Sequence, residues 1–135
     1  MVDHISTAHR SDNMSRIRSV NSKPEVLVRS LLHRLGYRFR KNLKTLPGKP
    51  DIVLKRHNTI IFVHGCFWHR HKGCKRSNVP KSNQDYWEPK LAGNVLRDRK
   101  HKASLKSLGW KVFTVWECET KDITKLSNKL RRIFN

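Results

Sequence analysis

Apolar positions recur at helical spacing at Val28, Leu31, Leu32 and Leu35. Ahead of them Ser22 and Glu25, three apart around Pro24, form a capping box, and Gly36 is a helix stop. Tyr37 to Arg40 reads as a short strand, and Leu46-Pro-Gly-Lys-Pro50 as a turn. Asp51 to Leu54 predicts a strand, Arg56 to Asn58 a turn, and Thr59 to Val63 a second strand. Ile60 to Val63 is apolar at every position, as expected of a strand buried on both faces. Residues 83–108 predict helix, in two pieces broken near Gly93. Lys111 to Trp116 is another strand, with Trp110 and Trp116 expected in the core. Ile123, Leu126, Leu130, Ile133 and Phe134 share one face of a C-terminal helix. The order α-β-β-β-α-β-α predicts an α/β fold with a mixed central sheet flanked by helices. Residues 1–20 read as a basic arm or short helix anchored by Met14, Ile17 and Val20, followed by a single domain over 21–135.

A tight hairpin centred between His57 and Asn58 places Asp51 opposite His64, and a one-residue slip places it opposite Val63. Either register brings a carboxylate to the end of the next strand. Such a carboxylate is a metal ligand or ordinary turn chemistry after a proline.

Charge adds a partner. Lys and Arg number 30 against 10 Asp and Glu, a formal +20 on 135 residues. The cations run along the whole chain, which argues for a folded basic surface and a polyanionic ligand, nucleic acid foremost. No apolar run approaches membrane-spanning length and the first twenty residues are polar. Three cysteines, an odd number with no export signal, favour metal ligation or buried thiols in a reducing cytoplasm.

The chemistry concentrates between Ile61 and Cys74, where an apolar strand runs into three histidines, two cysteines and a Phe-Trp pair. Cys66, Cys74 and a histidine from this loop, with Cys118 from a distant strand end, make a closed tetrahedral zinc set with no position left for water. Periodicity does not choose between His69 and His71 as the fourth ligand. Phe67, Trp68 and Trp87 have two readings, loop-to-core anchors or wedges that unstack base pairs. Asp98 sits among cations, as a surface ion pair or as the group that orients a histidine.

Together these segments resemble the very-short-patch repair (Vsr) mismatch endonuclease family. The matching pieces are Arg10-Ser-x-Asn13-Met14, Glu25, Leu46-Pro-Gly-x-Pro-Asp51, Ile61-Phe-x-His64-Gly-Cys66-Phe-Trp-His69-x-His71, Asn94-Val-x-Arg97-Asp98-Arg99, Leu108-Gly-Trp-x-Val112 and Val115-Trp-Glu-Cys118. They run in order from about residue 10 to 118. The resemblance implies a variant of the PD-(D/E)xK, restriction-endonuclease-like fold. Phe62-Val63-His64 stands where an orthodox member carries Glu-x-Lys.

What the resemblance implies about function is specific. One strand of duplex DNA is nicked 5′ to the thymine of a T:G mismatch left by deamination of 5-methylcytosine. Asp51 would bind magnesium together with the backbone carbonyl of Val63. His69 would be the general base with Asp98 as partner, while His64 and Glu25 would hold metal-bound water or phosphate. Zinc would take Cys66, His71, Cys74 and Cys118. Phe67, Trp68 and Trp87 would wedge beside the mismatch from one side, and Met14 on a DNA-contacting arm from the other. Implied partners are general mismatch-repair proteins and, functionally, a cytosine-5 methyltransferase. The chain is expected to act as a monomer in the bacterial cytoplasm, on the nucleoid. Two departures stand out. Lys72 and Gly73 both separate His71 from Cys74, where one residue is expected, and Arg70 replaces an expected histidine. The alternatives are a restriction-like or abasic-site nickase without mismatch preference, and a non-catalytic zinc-stabilised DNA-binding module.

Overall fold

A computed structural model of the chain describes residues 22–78 and 83–134. The arm predicted over 1–20, with Met14, lies outside the described residues. Helix α1 spans Lys23–Arg34, β1 Arg40–Lys41, β2 Ile52–Leu54, β3 Thr59–His64, α2 Gln84–Ser107, β4 Lys111–Trp116 and α3 Ile123–Ile133. The four strands form one sheet in the order β1-β2-β3-β4. β1, β2 and β3 pair antiparallel, while β3 and β4 pair parallel. The mixed α/β architecture expected from the pattern is therefore the one observed.

Side-chain alternation sorts the strands between two cores. Ile52, Leu54, Ile61, Val63 and Val115 face α1 and α3, packing on Val28, Leu31, Leu32, Leu126 and Leu130. Val53, Ile60 and Phe62 face the other way, onto Leu105 of α2 with Leu46, Trp110 and Val112 around them. All six positions of β3 are buried, as its unbroken apolar run predicts.

Four expectations are corrected. The hairpin register is Ile52↔Ile61 and Leu54↔Thr59, which carries Asp51 opposite Phe62 rather than His64 or Val63. The cause is the connection: a 3-10 turn over Lys55–His57 closed by Asn58 at φ 53°, longer than a two-residue turn. A two-residue shift preserves face, so Asp51 and His64 still point to the α2 side. Next, α2 is a single 24-residue helix with no break at Gly93. Glycine in a helix costs only ~1 kcal/mol against alanine, and packing of Leu91 and Leu105 overrides it. Finally, Trp116 is not a core residue: it is half-buried and stacks on His71 (centroids 4.2 Å, 8° between planes). The first strand is also shorter than expected, Arg40–Lys41, with Tyr37 stacked instead on Phe134 at 4.1 Å.

No helix among the described residues is long and apolar enough to cross a membrane.

Candidate active site and metal centre

Parallel β3 and β4 end side by side, and chemistry gathers at their carboxyl ends, where open α/β sheets expose their sites. A cavity of about 260 Å³ opens there between the sheet and α2; Asp51, His64, His69, Asp98 and Lys102 contribute to its walls.

Asp51 enters from the turn before β2. Its Oδ2 accepts the Val63 N–H at 2.7 Å, which ties the carboxylate to the next strand. Burial pushes its pKa up to about 7, against the pull of that N–H, and nearby Glu25 raises it further while Arg29 lowers it. Glu25 itself is buried in the first turn of α1. Its backbone N–H is donated to Ser22 Oγ at 3.4 Å, and its carboxylate accepts from Arg29 at 3.3 Å. Glu25 therefore both belongs to the cap and faces Asp51 electrostatically.

His64 ends β3 and His69 follows a one-turn loop, with His69 N–H bonded to the Gly65 carbonyl at 3.1 Å. The two imidazoles stack in parallel at 3.8 Å and 6°. His69 Nδ1 lies 2.6 Å from Asp98 Oδ2. A carboxylate accepts, so Nδ1 carries the proton of the neutral ring and Nε2 keeps the lone pair. His64 is held well below its ordinary pKa by burial, then by the charges of His69 and Lys102. Its Nδ1 is buried without a hydrogen-bond partner among the described residues. An orphaned buried nitrogen at the floor of a groove is the signature of a site that completes itself with ligand or water.

The second cluster lies behind this one. The donor atoms of Cys66, His71, Cys74 and Cys118 all fall within 4.8 Å of one another. His71 Nδ1 is 3.6 Å from Cys66 Sγ and 3.4 Å from Cys118 Sγ. A tetrahedral zinc with ordinary bond lengths has S···N edges of about 3.5 Å, so the donor set fits. Burial pushes the Cys66 thiol up to about 12, a cost that a dication among the donors would reverse. The extra residue before Cys74 is absorbed by Gly73 at φ 73°, with open space where a Cβ would stand. Arg70, at the position of the expected histidine, pairs instead with Glu88 at 2.8 Å.

The family model described as DNA mismatch endonuclease Vsr matches residues 2–76. The chain belongs to the Vsr family. It is 48% identical over 135 residues to the type II nicking enzyme V.XorIIP of Xanthomonas oryzae pv. oryzae, covering 100% of this chain and 98% of that one. It is 46% identical to the type II nicking enzyme V.NmeAIP of Neisseria meningitidis, over 98% of this chain and 94% of that one. To the DNA mismatch endonuclease Vsr of Escherichia coli it is 40% identical, over 96% and 82% of the two chains. Its relatives are DNA endonucleases and nicking enzymes, which makes this Vsr chain a nuclease.

The aromatic groups of this Vsr protein cluster between the loop after β3 and the first turn of α2. Phe67, Trp68 and Trp87 meet edge to face, with centroids 5.2 to 5.7 Å apart, and all three are half-buried. Lys90 Nζ sits 5.7 Å from the Trp68 ring and 5.8 Å from that of Trp87. Asn94 Nδ2 donates to the Trp68 carbonyl at 2.9 Å, binding the loop to α2.

The fold thus brings Asp51, His64, His69 and Asp98 around one cavity, sets Glu25 beside Asp51, and closes Cys66, His71, Cys74 and Cys118 into a ring. Sequence reasoning passed over Asn94 and Arg97 as individual groups and missed Gly48, His101 and Lys102, all of which line the cavity. Helical spacing carried the signal: Asn94, Arg97, Asp98, His101 and Lys102 stand at i, i+3, i+4, i+7 and i+8 on one face of α2. Reading Asp98 as the lone point of interest hid it.

Proposed function

We propose that this Vsr-family nuclease nicks one strand of duplex DNA 5′ to the thymine of a T:G mismatch. The observation that carries the reading is the His69–Asp98 pair at 2.6 Å, sharing one groove with half-buried Asp51 and neutral His64, in a strongly basic chain. We infer a PD-(D/E)xK-type scaffold from the four-stranded mixed sheet with Asp51 ahead of β2. The whole unit is residues 21–135, with 1–20 as a DNA-contacting arm.

The donor chemistry near Asp51 suits a small, hard cation. A half-buried carboxylate pushed towards neutrality, crowded by a second carboxylate, is relieved by one. Asp51 and the Val63 carbonyl would hold magnesium, with Glu25 acting through bound water. When bound, magnesium supplies Lewis-acid activation of the phosphate and of water. His69 Nε2 takes the proton of the attacking water, and Asp98 stabilises the imidazolium that results. His64, kept uncharged, offers its unpartnered nitrogen to phosphate or water. Zinc in the Cys66, His71, Cys74, Cys118 ring fixes the loop that carries His69. Phe67, Trp68 and Trp87 unstack the weaker T:G pair, and Met14 approaches from the arm. One nick requires one copy, so the active form is a monomer in the cytoplasm, working beside mismatch-repair proteins on products of a cytosine-5 methyltransferase.

A strand-resolved assay on end-labelled T:G, T:A and C:G duplexes tests this. A nick on the T strand of T:G alone, lost with EDTA and lost by about 10³-fold or more in Asp51→Ala, is expected. Equal cutting of matched DNA would establish a nickase without mismatch preference. Tight binding with no cutting in any sequence context would leave a DNA-binding module.

A further inference from the structure

A second cavity, about 660 Å³, lies on the other side of the histidine stack, with Arg70, Lys72 and Arg99 on its rim. Four residues line both cavities: His64, His69, Asp98 and Lys102. Three of them make up the proton-transfer machinery above. The fourth is a half-buried cation that none of that chemistry uses.

We propose that Lys102 is a catalytic residue of this enzyme: its ammonium meets the scissile phosphate from α2 and neutralises the charge that builds on it. The proposal rests on the nuclease reading of the same groove. Three observations carry it. Lys102 stands four residues after Asp98, so both side chains leave α2 from one face, towards the cavity. Strand β3 ends in Phe62-Val63-His64 and itself presents no ammonium to the cavity, whose other lysine, Lys49, comes from the turn before β2 and does not reach the second cavity. The two cavities converge at Lys102, which gives a polyanion running from one to the other a cation at the crossing.

The electrostatics agree. Burial lowers the Lys102 pKa while Asp98 raises it, and Lys102 in turn helps to keep His64 uncharged. A half-buried ammonium beside a phosphate acts in a medium of low effective dielectric, where a fixed charge is worth far more than in water. No bond is made or broken by Lys102. It donates hydrogen bonds to a non-bridging oxygen while the water oxygen bonds to phosphorus and gives its proton to His69, the P–O bond to the leaving oxygen breaks, and that oxygen takes a proton from solvent.

The test compares Lys102→Met and Lys102→Arg with the wild type, using full-length zinc-loaded protein and a T:G duplex with magnesium. Two quantities are read: the single-turnover nicking rate at saturating DNA and the Kd for the same duplex. Lys102→Met is expected to slow nicking by on the order of 10²-fold, with Kd changed by less than about threefold. Lys102→Arg is expected to recover most of the rate, which a misfolded or merely loosened site would not do. A Lys102→Met protein that nicks at the wild-type rate overturns the proposal. So does a loss seen wholly in Kd, since that describes a lysine that only binds DNA. Wild-type protein that nicks no duplex overturns the nuclease reading, and this inference with it.

Discussion

At the scale of single residues, the site is a set of groups held in unfavourable states. Asp51 is the clearest. Its folded pKa of about 7 stands above the ordinary 3.8, so the folded chain holds this proton after the unfolded chain has lost it. Stability therefore falls as pH rises from about 4 to about 7, and the whole cost remains above that. The shift corresponds to on the order of 4 kcal/mol, set mainly by burial. Asp51→Asn removes the charge and keeps the shape. Without magnesium, but with zinc retained, it should be more stable than wild type by a few kcal/mol at pH 8, and equal to it near pH 4, while nicking disappears. Urea unfolding at the two pH values measures this. Equal stability at pH 8 would show that the carboxylate is not a strained group. His64 is the same kind of residue on the basic side: a buried imidazole kept neutral, with a nitrogen unpartnered among the described residues.

At the scale of elements, precision comes from contacts between segments far apart in the chain. The turn before β2 approaches α2 so closely that a Cβ on Gly48, at φ 77°, would stand 2.8 Å from His101 Cβ. That contact lets Asp51 face Asp98 across the groove. Gly48→Ala should cost about 1–3 kcal/mol through backbone strain and the clash, and should reduce nicking further than the stability loss explains, because Asp51 is displaced. A thermal melt and a nicking rate on the same sample decide it. A normal rate in a destabilised protein would confine Gly48 to folding. The loop that carries Phe67 and Trp68 is fixed in the same way, by Asn94 donating to the Trp68 carbonyl. The helix face that lines the groove was legible as periodicity, since polar residues at 94, 98, 101 and 102 repeat with the helical turn. What hid it was attention to Asp98 alone, which left its neighbours one helical turn away on the same face unread.

At the scale of the molecule, the Cys-His ring joins the loop after β3 to the end of β4. Cys66, His71 and Cys74 come from one segment and Cys118 from another, 44 residues beyond Cys74. The 3-10 turn over Glu117–Lys121 is held in place around it, with Glu119 accepting from the Trp116 N–H and from Lys129, both at 2.8 Å. A structural zinc here would restrain both His69 and the Phe67-Trp68 pair, which the same loop carries. The protein should carry one zinc per chain by elemental analysis. Stripping it with a zinc-selective chelator in excess magnesium should lower Tm by ten degrees or more, a few kcal/mol at this size, and should abolish nicking. Full activity in zinc-free protein would sink the idea that the ring positions His69.

The element order, the buried strand from Ile60 to Val63 and the two amphipathic helices α1 and α3 followed from hydrophobic period alone, because each is decided by which side of a segment avoids water. The metal donors were legible as residue types, and the family resemblance rested on residues that occur in order along the chain. Tertiary structure decided the rest. The hairpin register depended on the left-handed Asn58 and the 3-10 turn before it, whose conformation no hydrophobic pattern specifies. The length of α2 depended on packing that outweighs the weak propensity penalty of Gly93. The stack of His64 on His69, the raised pKa of Asp51 and the place of Lys102 between two cavities are properties of distance and burial. Those quantities arise only when β3, β4 and α2 close on one another, so a linear order of residues contains the groups but not the fields they exert.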